Sequence, residues 1–255
     1  NISSLSYIAK LVPMQLINPD TFELLTTGPQ MRREYIDWGL FHVEQSFFDL
    51  WIRHQRVLKQ RNAAIQQQKS ANEIKSWDIE FVRTAEEISL LRNNYVTQLF
   101  PIVHEVLEKL IHLDSLSLEF YSGWDTSYSL VDLLNKNFHR DMALGYTQLG
   151  PRRADLIIKM DKTPVQDVLS RGEQKLLVCA LKIAQGIYLQ RHTGKNCIYL
   201  LDDLASELDH IHRHKIIALL ADLKAQVFIS AVDVSVFPDI HSYLGKMFHV
   251  KHGHI

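Results

Sequence analysis

Residues 169–203 read LSRGEQKLLVCALKIAQGIYLQRHTGKNCIYLLDD, and two elements follow from them. From Leu169 to Arg191 apolar residues recur at helical spacing behind a Ser-x-x-Glu start, so a strong amphipathic helix is expected. CIYLLDD is a short apolar run ending in two carboxylates, the pattern of a buried strand flanked by helices. Downstream, HIHRHKIIALLADLK (210–224) has helical character and AQVFIS (225–230) is a second buried-strand run. The helix between them is then a crossover connection. With ADLIIKM (154–160) as a further strand and DKTP as its turn, everything from 154 onward reads as α/β.

Upstream the texture differs. SLSLEFYSGW (115–124) alternates as a strand does, and residues 125–147 return to helical periodicity. Tyr35, Trp38, Phe41, Phe48, Trp51 and Leu58 form one helical stripe running from Gly28-Pro29 to about Ile65. The polar stretch 66–76 reads as a hairpin connection. A second stripe runs through Phe81, Ala85, Ile88, Leu91, Tyr95, Leu99, Val106 and Leu110, with a kink expected at Pro101. Two such helices, each about 50 Å long, predict a long antiparallel arm rather than part of a compact core. Residues 1–28 are mixed, with an extended VPMQLI and a turn at Asn18-Pro19-Asp20.

Composition narrows the class. The 255 residues make between one and two domains, and 46% hydrophobic with 22% charged is ordinary globular material. No run of apolar residues is long enough to span a membrane. The two cysteines, Cys179 and Cys197, lie in apolar stretches, which suits a reducing cytosol, and Cys179 is expected to be inert. A net charge of -1 means that a nucleic-acid partner has to be argued from local patches. The chain begins at Asn1 without a signal-peptide pattern, so its start is expected to be a cut in a longer chain.

Three short constellations carry the chemistry, and each has a plainer reading beside it. Asp202 ends an apolar strand, where a carboxylate can hold Mg²⁺ on nucleotide phosphates, and Asp203 beside it can polarise a water. Alternatively, a strand-end Asp simply caps the next helix. Ser170, Arg171, Gly172 and Glu173 open the long helix, offering a hydroxyl and free N–H groups to an anion, or simply a Ser-x-x-Glu capping box. Ser206 and Asp209 lie on the loop after the carboxylates, where Asp209 also fits a helix N-cap.

Taken in order, the LSRGE helix, the DD strand and the SELD loop resemble the C-terminal half of an ABC-type ATPase head, as in SMC-like proteins. GPQMRREYIDWGLFH (28–42), LKQRNAA (58–64), GPRRADL (150–156), LSRGEQK and YLLDDLASELD together resemble the RecF family. The resemblance implies an α/β fold: part of an ABC/SMC-type head, a mixed sheet with flanking helices, plus a long antiparallel helical arm. It implies the tail of the head's N-terminal half in 1–28, the arm in 29–147 and the head's C-terminal half in 148–255. It further implies ATP and Mg²⁺ as cofactors, an ATP-dependent homodimer, and slow DNA-dependent hydrolysis. Its partners would be single- and double-stranded DNA at gap junctions and RecR, with RecO and RecA downstream, in a cytoplasmic, nucleoid-associated protein.

Carried over by motif, Ser170, Arg171, Gly172, Glu173, Ser206 and Asp209 would contact ATP, Asp202 the Mg²⁺ and Asp203 the attacking water. One departure is that no G-x-x-x-x-G-K-[ST] occurs in these residues, so the chain by itself is expected to bind MgATP feebly and not to hydrolyse it. A second is Val232, standing about where ABC heads often carry a switch histidine. Two competing readings remain: another SMC-like or ABC-type ATPase head, or a non-catalytic helical scaffold whose motifs are caps and turns.

Among the charges, Arg53, Arg56, Lys59 and Arg61 form either a solvated helix face or a strip that tracks phosphates. Arg152 and Arg153 precede a core strand and are candidates for the dimer face or DNA, whereas Arg32 and Arg33 are placed to tie arm to head. Histidines such as His210, His214, His249, His252 and His254 are expected to be solvated rather than metal-bound. Tryptophans 38, 51, 77 and 124 could stack on bases, with core packing expected for the first two.

Overall fold

The computed structural model describes residues 5–203, 207–233 and 245–249. The chain opens with α1 (Leu5–Leu11), β1 (Met14–Ile17) and a 3-10 helix (Pro19–Leu24) whose start is capped by Asn18. Helices α2 (Pro29–Val43), α3 (Phe47–Gln66), α4 (Ala71–Lys75) and α5 (Asp78–Leu110) follow, then β2 (Leu116–Tyr121) and α6 (Leu130–Leu144). The remainder is β3 (Asp155–Met160), the two-residue β4 (Thr163–Pro164), the short α7 (Val165–Val168), α8 (Arg171–Thr193), β5 (Ile198–Leu201), α9 (His210–Asp222) and β6 (Gln226–Ile229).

The parallel sheet has the order β1-β5-β6, with Ile17 opposite Leu201 and Leu201 opposite Ile229. The crossover from β5 to β6 runs through α9, as the spacing of apolar runs requires. A second, antiparallel sheet has the order β2-β3-β4. The core face of the parallel sheet presents Gln15, Ile17, Tyr199 and Leu201 to α8. Gly186 makes that packing close: a Cβ there would stand 1.9 Å from the Tyr199 hydroxyl. The opposite face carries Met14, Leu16 and Phe228, all exposed among the described residues.

Two features of the arm differ from expectation. The stripe over 29–65 is two helices, because the backbone turns extended at Glu44, whose carboxylate takes hydrogen bonds from the Ser46 amide and hydroxyl. Such local side-chain bonding competes with the helical ladder. By contrast, α5 runs through Pro101 as one helix.

The arm is also rooted in the head rather than standing apart. Tyr35, Ile36 and Leu40 of α2 and Tyr95, Leu99 and Val103 of α5 share one core with α8, β1 and β5. Only the outer part, where α3 runs antiparallel to the start of α5, has its own core of Val57, Leu58, Phe81, Val82 and Ala85, closed by Trp124, Leu130 and Leu134. Arginines fasten the junction: Arg32 forks onto Asp155 at 2.7 and 3.0 Å, and Arg33 donates to the Ala154 carbonyl at 2.8 Å. Arg92 of α5 forks onto Asp37 of α2 and donates to the Pro151 carbonyl, each at 2.8 Å.

Candidate functional site

Helix α8 begins with a complete capping box. The Ser170 hydroxyl oxygen accepts from the Glu173 amide at 3.3 Å, and the Glu173 carboxylate accepts from the Ser170 amide at 2.8 Å. Hydrogen bonding from the Ser170 side chain and the Ser170 amide holds the Glu173 carboxyl below the usual carboxylate range. The plain cap is therefore real, yet it leaves the helix end open. Ser170, Arg171 and Gly172 are exposed, and no atom lies within 4 Å of where a Gly172 Cβ would be. A 23-residue helix with a bare N-terminus presents partial positive charge to solvent.

At its C-terminal end β5, the central strand of the parallel sheet, delivers Asp202, whose amide donates to the Ile17 carbonyl at 2.9 Å. Its carboxylate is exposed and accepts a hydrogen bond from the Ser230 hydroxyl, at the end of β6. The Asp203 amide donates to the same hydroxyl at 3.3 Å, and Asp203 itself has φ +51°, a left-handed conformation that aspartate tolerates. Ser230 escaped the sequence reading. Its signal was present, however: it ends the strand that the pattern placed beside the one carrying Asp202.

Helix α8 and the loop after β5 are physically joined. Lys175, within LSRGEQK, meets the Glu207 carboxylate at 2.6 Å and the Glu207 carbonyl at 3.2 Å, with its ammonium 5.7 Å from the Phe22 ring centre. Asp209 caps α9 by accepting from the His212 amide at 3.0 Å and pairs with the His212 ring at 2.7 Å. Ser206 lies outside the described residues, as do His252 and His254. Val232 is fully exposed.

Of the basic candidates, Arg53, Arg56 and Lys59 are exposed on α3, with Arg53 paired to Glu80. Arg61 is a correction. It is 0% exposed, forming hydrogen bonds with Asp78 at 2.8 Å, Asp141 at 2.9 Å and Thr147 at 2.7 Å, so it cannot reach DNA. Its position on the same helical face as Val57, Leu58 and Ile65 was the overlooked signal. Arg152 and Arg153 are exposed. Trp38 is half-buried against the main core as expected, whereas Trp51 is exposed and Trp124 is the buried one. Cys179 is buried and its thiol is pushed up to about 12 by burial, consistent with an inert side chain. Among the described residues no cluster of three metal-ligating side chains occurs.

The family model described as the RecF/RecN/SMC N terminal domain matches residues 1–255. The DNA replication and repair protein RecF of Aliivibrio fischeri (strain MJ11) is 46% identical over 251 residues, covering 98% of this chain and 70% of that protein. The RecF of Vibrio cholerae serotype O1 (strain ATCC 39541) is 47% identical over 249 residues, with 98% and 69% covered. A solved structure described as the recombination mediator protein RecF-ATP in the RecFOR pathway superposes with TM-score 0.75 at 23% identity. The match covers 88% of this chain and 64% of that one, so the chain spans less than two thirds of the solved protein. A second, described as RecF-ATPrS, gives TM-score 0.79 at 23% identity, with 92% and 66% covered. With its family model matched from end to end and relatives at this identity, the chain belongs to the RecF branch of the RecF/RecN/SMC N-terminal domain family.

Proposed function

We propose that this chain supplies the arm and the C-terminal half of the head, with its LSRGE helix and DD strand, of an ATP-gated, DNA-binding recombination mediator. In this reading it acts at single-strand gaps with RecR and RecO, assists RecA loading, and serves repair, replication restart and SOS induction. The carrying observation is the Lys175–Glu207 bridge, which couples the open N-terminus of α8 to the loop that leaves Asp202 and Asp203.

The residues fit the cofactors. Asp202, oriented by Ser230 and exposed at a strand end, is suited to hold Mg²⁺. Mg²⁺-bound ATP supplies the phosphate charge that closure reads. Asp203 would orient the attacking water. Ser170 and the amides of Arg171 and Gly172 would donate to the phosphates held by a second copy, with Glu173 fixing the helix start and Asp209 nearby, while Ser206 is assigned to the same contact by its motif alone. The site is then complete only in an ATP-dependent homodimer. Hydrolysis would be slow and DNA-dependent, making the dimer a timed clamp in the cytoplasm, at the nucleoid. Among the described residues no helix is long and apolar enough to cross a membrane.

Light scattering on the full-length protein, with and without MgATP, tests this. Wild type is expected to double its mass with ATP, whereas Ser170→Arg stays monomeric because the larger side chain blocks the facing phosphate. An unchanged wild-type mass, or equal dimerisation by the variant, would reduce Ser170 to a helix cap worth about 1 kcal/mol.

A further inference from the structure

The loop between α6 and β3 places an exposed aromatic ring among arginines that have no acid partner. Tyr146 is 40% exposed, and the Arg153 guanidinium lies 5.5 Å from its ring centre. Side-chain hydrogen bonding to Gln148 and Arg153, aided by the charges of Arg153 and of Arg140 on the last turns of α6, holds the phenol pKa below the usual tyrosine value. Arg152 is exposed beside Arg153, and after burial and the charge of Arg92 it adds to the lowering of the Arg33 pKa behind it.

Among the described residues none of Arg140, Arg152 and Arg153 forms an ion pair. The nearby carboxylates are already taken from the inside: Asp37 by Arg92, Asp155 by Arg32, and Asp78 and Asp141 by Arg61. The outward charge of the loop is therefore uncompensated.

The loop is also rigid. Thr147 receives the Arg61 guanidinium at 2.7 Å, and both its amide and hydroxyl donate to Asn62, at 2.9 and 2.7 Å. The Gln148 amide donates to Asp141 at 3.0 Å. Gly150, at φ +114°, turns the chain where a Cβ would strike the Phe81 ring at 2.8 Å. Arg61, which the sequence suggested as a DNA contact, instead holds this surface from beneath as a positioning residue.

We propose that Tyr146, Arg140, Arg152 and Arg153 form a contact for single-stranded DNA, the arginines meeting phosphates and the ring stacking on an unpaired base. The contact presupposes the DNA-binding function proposed above. Arginine beside an exposed ring suits a nucleic-acid strand, since every base offers a π-face while every linkage offers a charge.

Fluorescence anisotropy of the full-length protein with labelled oligo-dT, and with a duplex of equal length, across a salt series is the test. Tyr146→Ala is expected to weaken oligo-dT binding about tenfold or more, with Tyr146→Phe close to wild type. Arg140→Ala/Arg153→Ala should lower the slope of log affinity against log salt by roughly 0.7 per arginine. All these side chains are exposed, so thermal midpoints should stay together. If wild type binds DNA and the variants match it in affinity and slope, the contact is refuted while the DNA-binding function stands. If wild type binds neither DNA, that function fails and the contact with it. Equal losses for duplex and oligo-dT with Tyr146→Ala neutral, or competition by polyglutamate as effective as by unlabelled oligo-dT, would also overturn it.

Discussion

His54 is 1% exposed, its Nδ1 2.9 Å from the Thr84 hydroxyl oxygen, and its ring packs on Phe81. Because the Thr84 hydroxyl already donates to the Glu80 carbonyl at 2.8 Å, the imidazole is the donor in that pair and Nε2 is left unprotonated. Burial, reinforced by Arg92 and Arg152, lowers its pKa from 6.5 to about 4. The folded chain thus binds this proton less readily than the unfolded chain. Stability from His54 is complete above the unfolded value near 6.5 and is lost as pH falls toward 4, amounting to about 3 kcal/mol. Urea denaturation followed from neutral to acid pH should show that loss, and His54→Asn should flatten it. Its spacing of three and four residues from Val57 and Leu58 placed this histidine on the inward face, the same overlooked signal as for Arg61. Ser170, by contrast, was legible because its partner Glu173 lies within one turn.

At the level of elements, Arg61 is the tie among α3, α5, α6 and the loop after α6. Removing it leaves Asp78 and Asp141 without their shared cation, and burial already raises the Asp141 pKa against the pull of Arg61. Arg61→Ala is expected to destabilise the protein by about 3–5 kcal/mol. Arg61→Lys should recover only part of that, because an ammonium lacks the fork that reaches both carboxylates and Thr147. Chemical denaturation of the two variants beside wild type measures both. The strands at 116–121, 155–160, 198–201 and 226–229 and the helices at 171–193 and 210–222 were legible from their apolar periods. The break after Val43 was not, because it comes from a local bond between Glu44 and Ser46 within an otherwise continuous stripe.

On the scale of the whole molecule, the described residues form two cores of unequal size. The larger gathers α2, α5, α8, α9 and the parallel sheet, whereas the smaller holds only the outer arm with Trp124, Leu130 and Leu134. Cooperative units open in order of the packing that holds them. Hydrogen exchange under native conditions should therefore find the amides of Leu176–Leu189 most protected and those of α6 exchanging sooner. Equal protection in both would mean that the Arg61 network fuses them into one unit. The parallel sheet adds a second asymmetry: its Met14, Leu16 and Phe228 face is open here, although parallel sheets are ordinarily covered on both sides.

The sequence by itself determined the α/β class, the order of the motifs and the family, because apolar period, capping residues and strand-end carboxylates are local or ordered along the chain. Tertiary structure alone decided that the arm shares a core with the head, that Ser230 orients Asp202, and that Lys175 reaches Glu207. It also turned Arg61 inward while leaving Arg140, Arg152 and Arg153 outside. The physical reason is common to all of these. Each depends on which charged or polar group of one element finds its partner across another, and that pairing is fixed only when the elements pack.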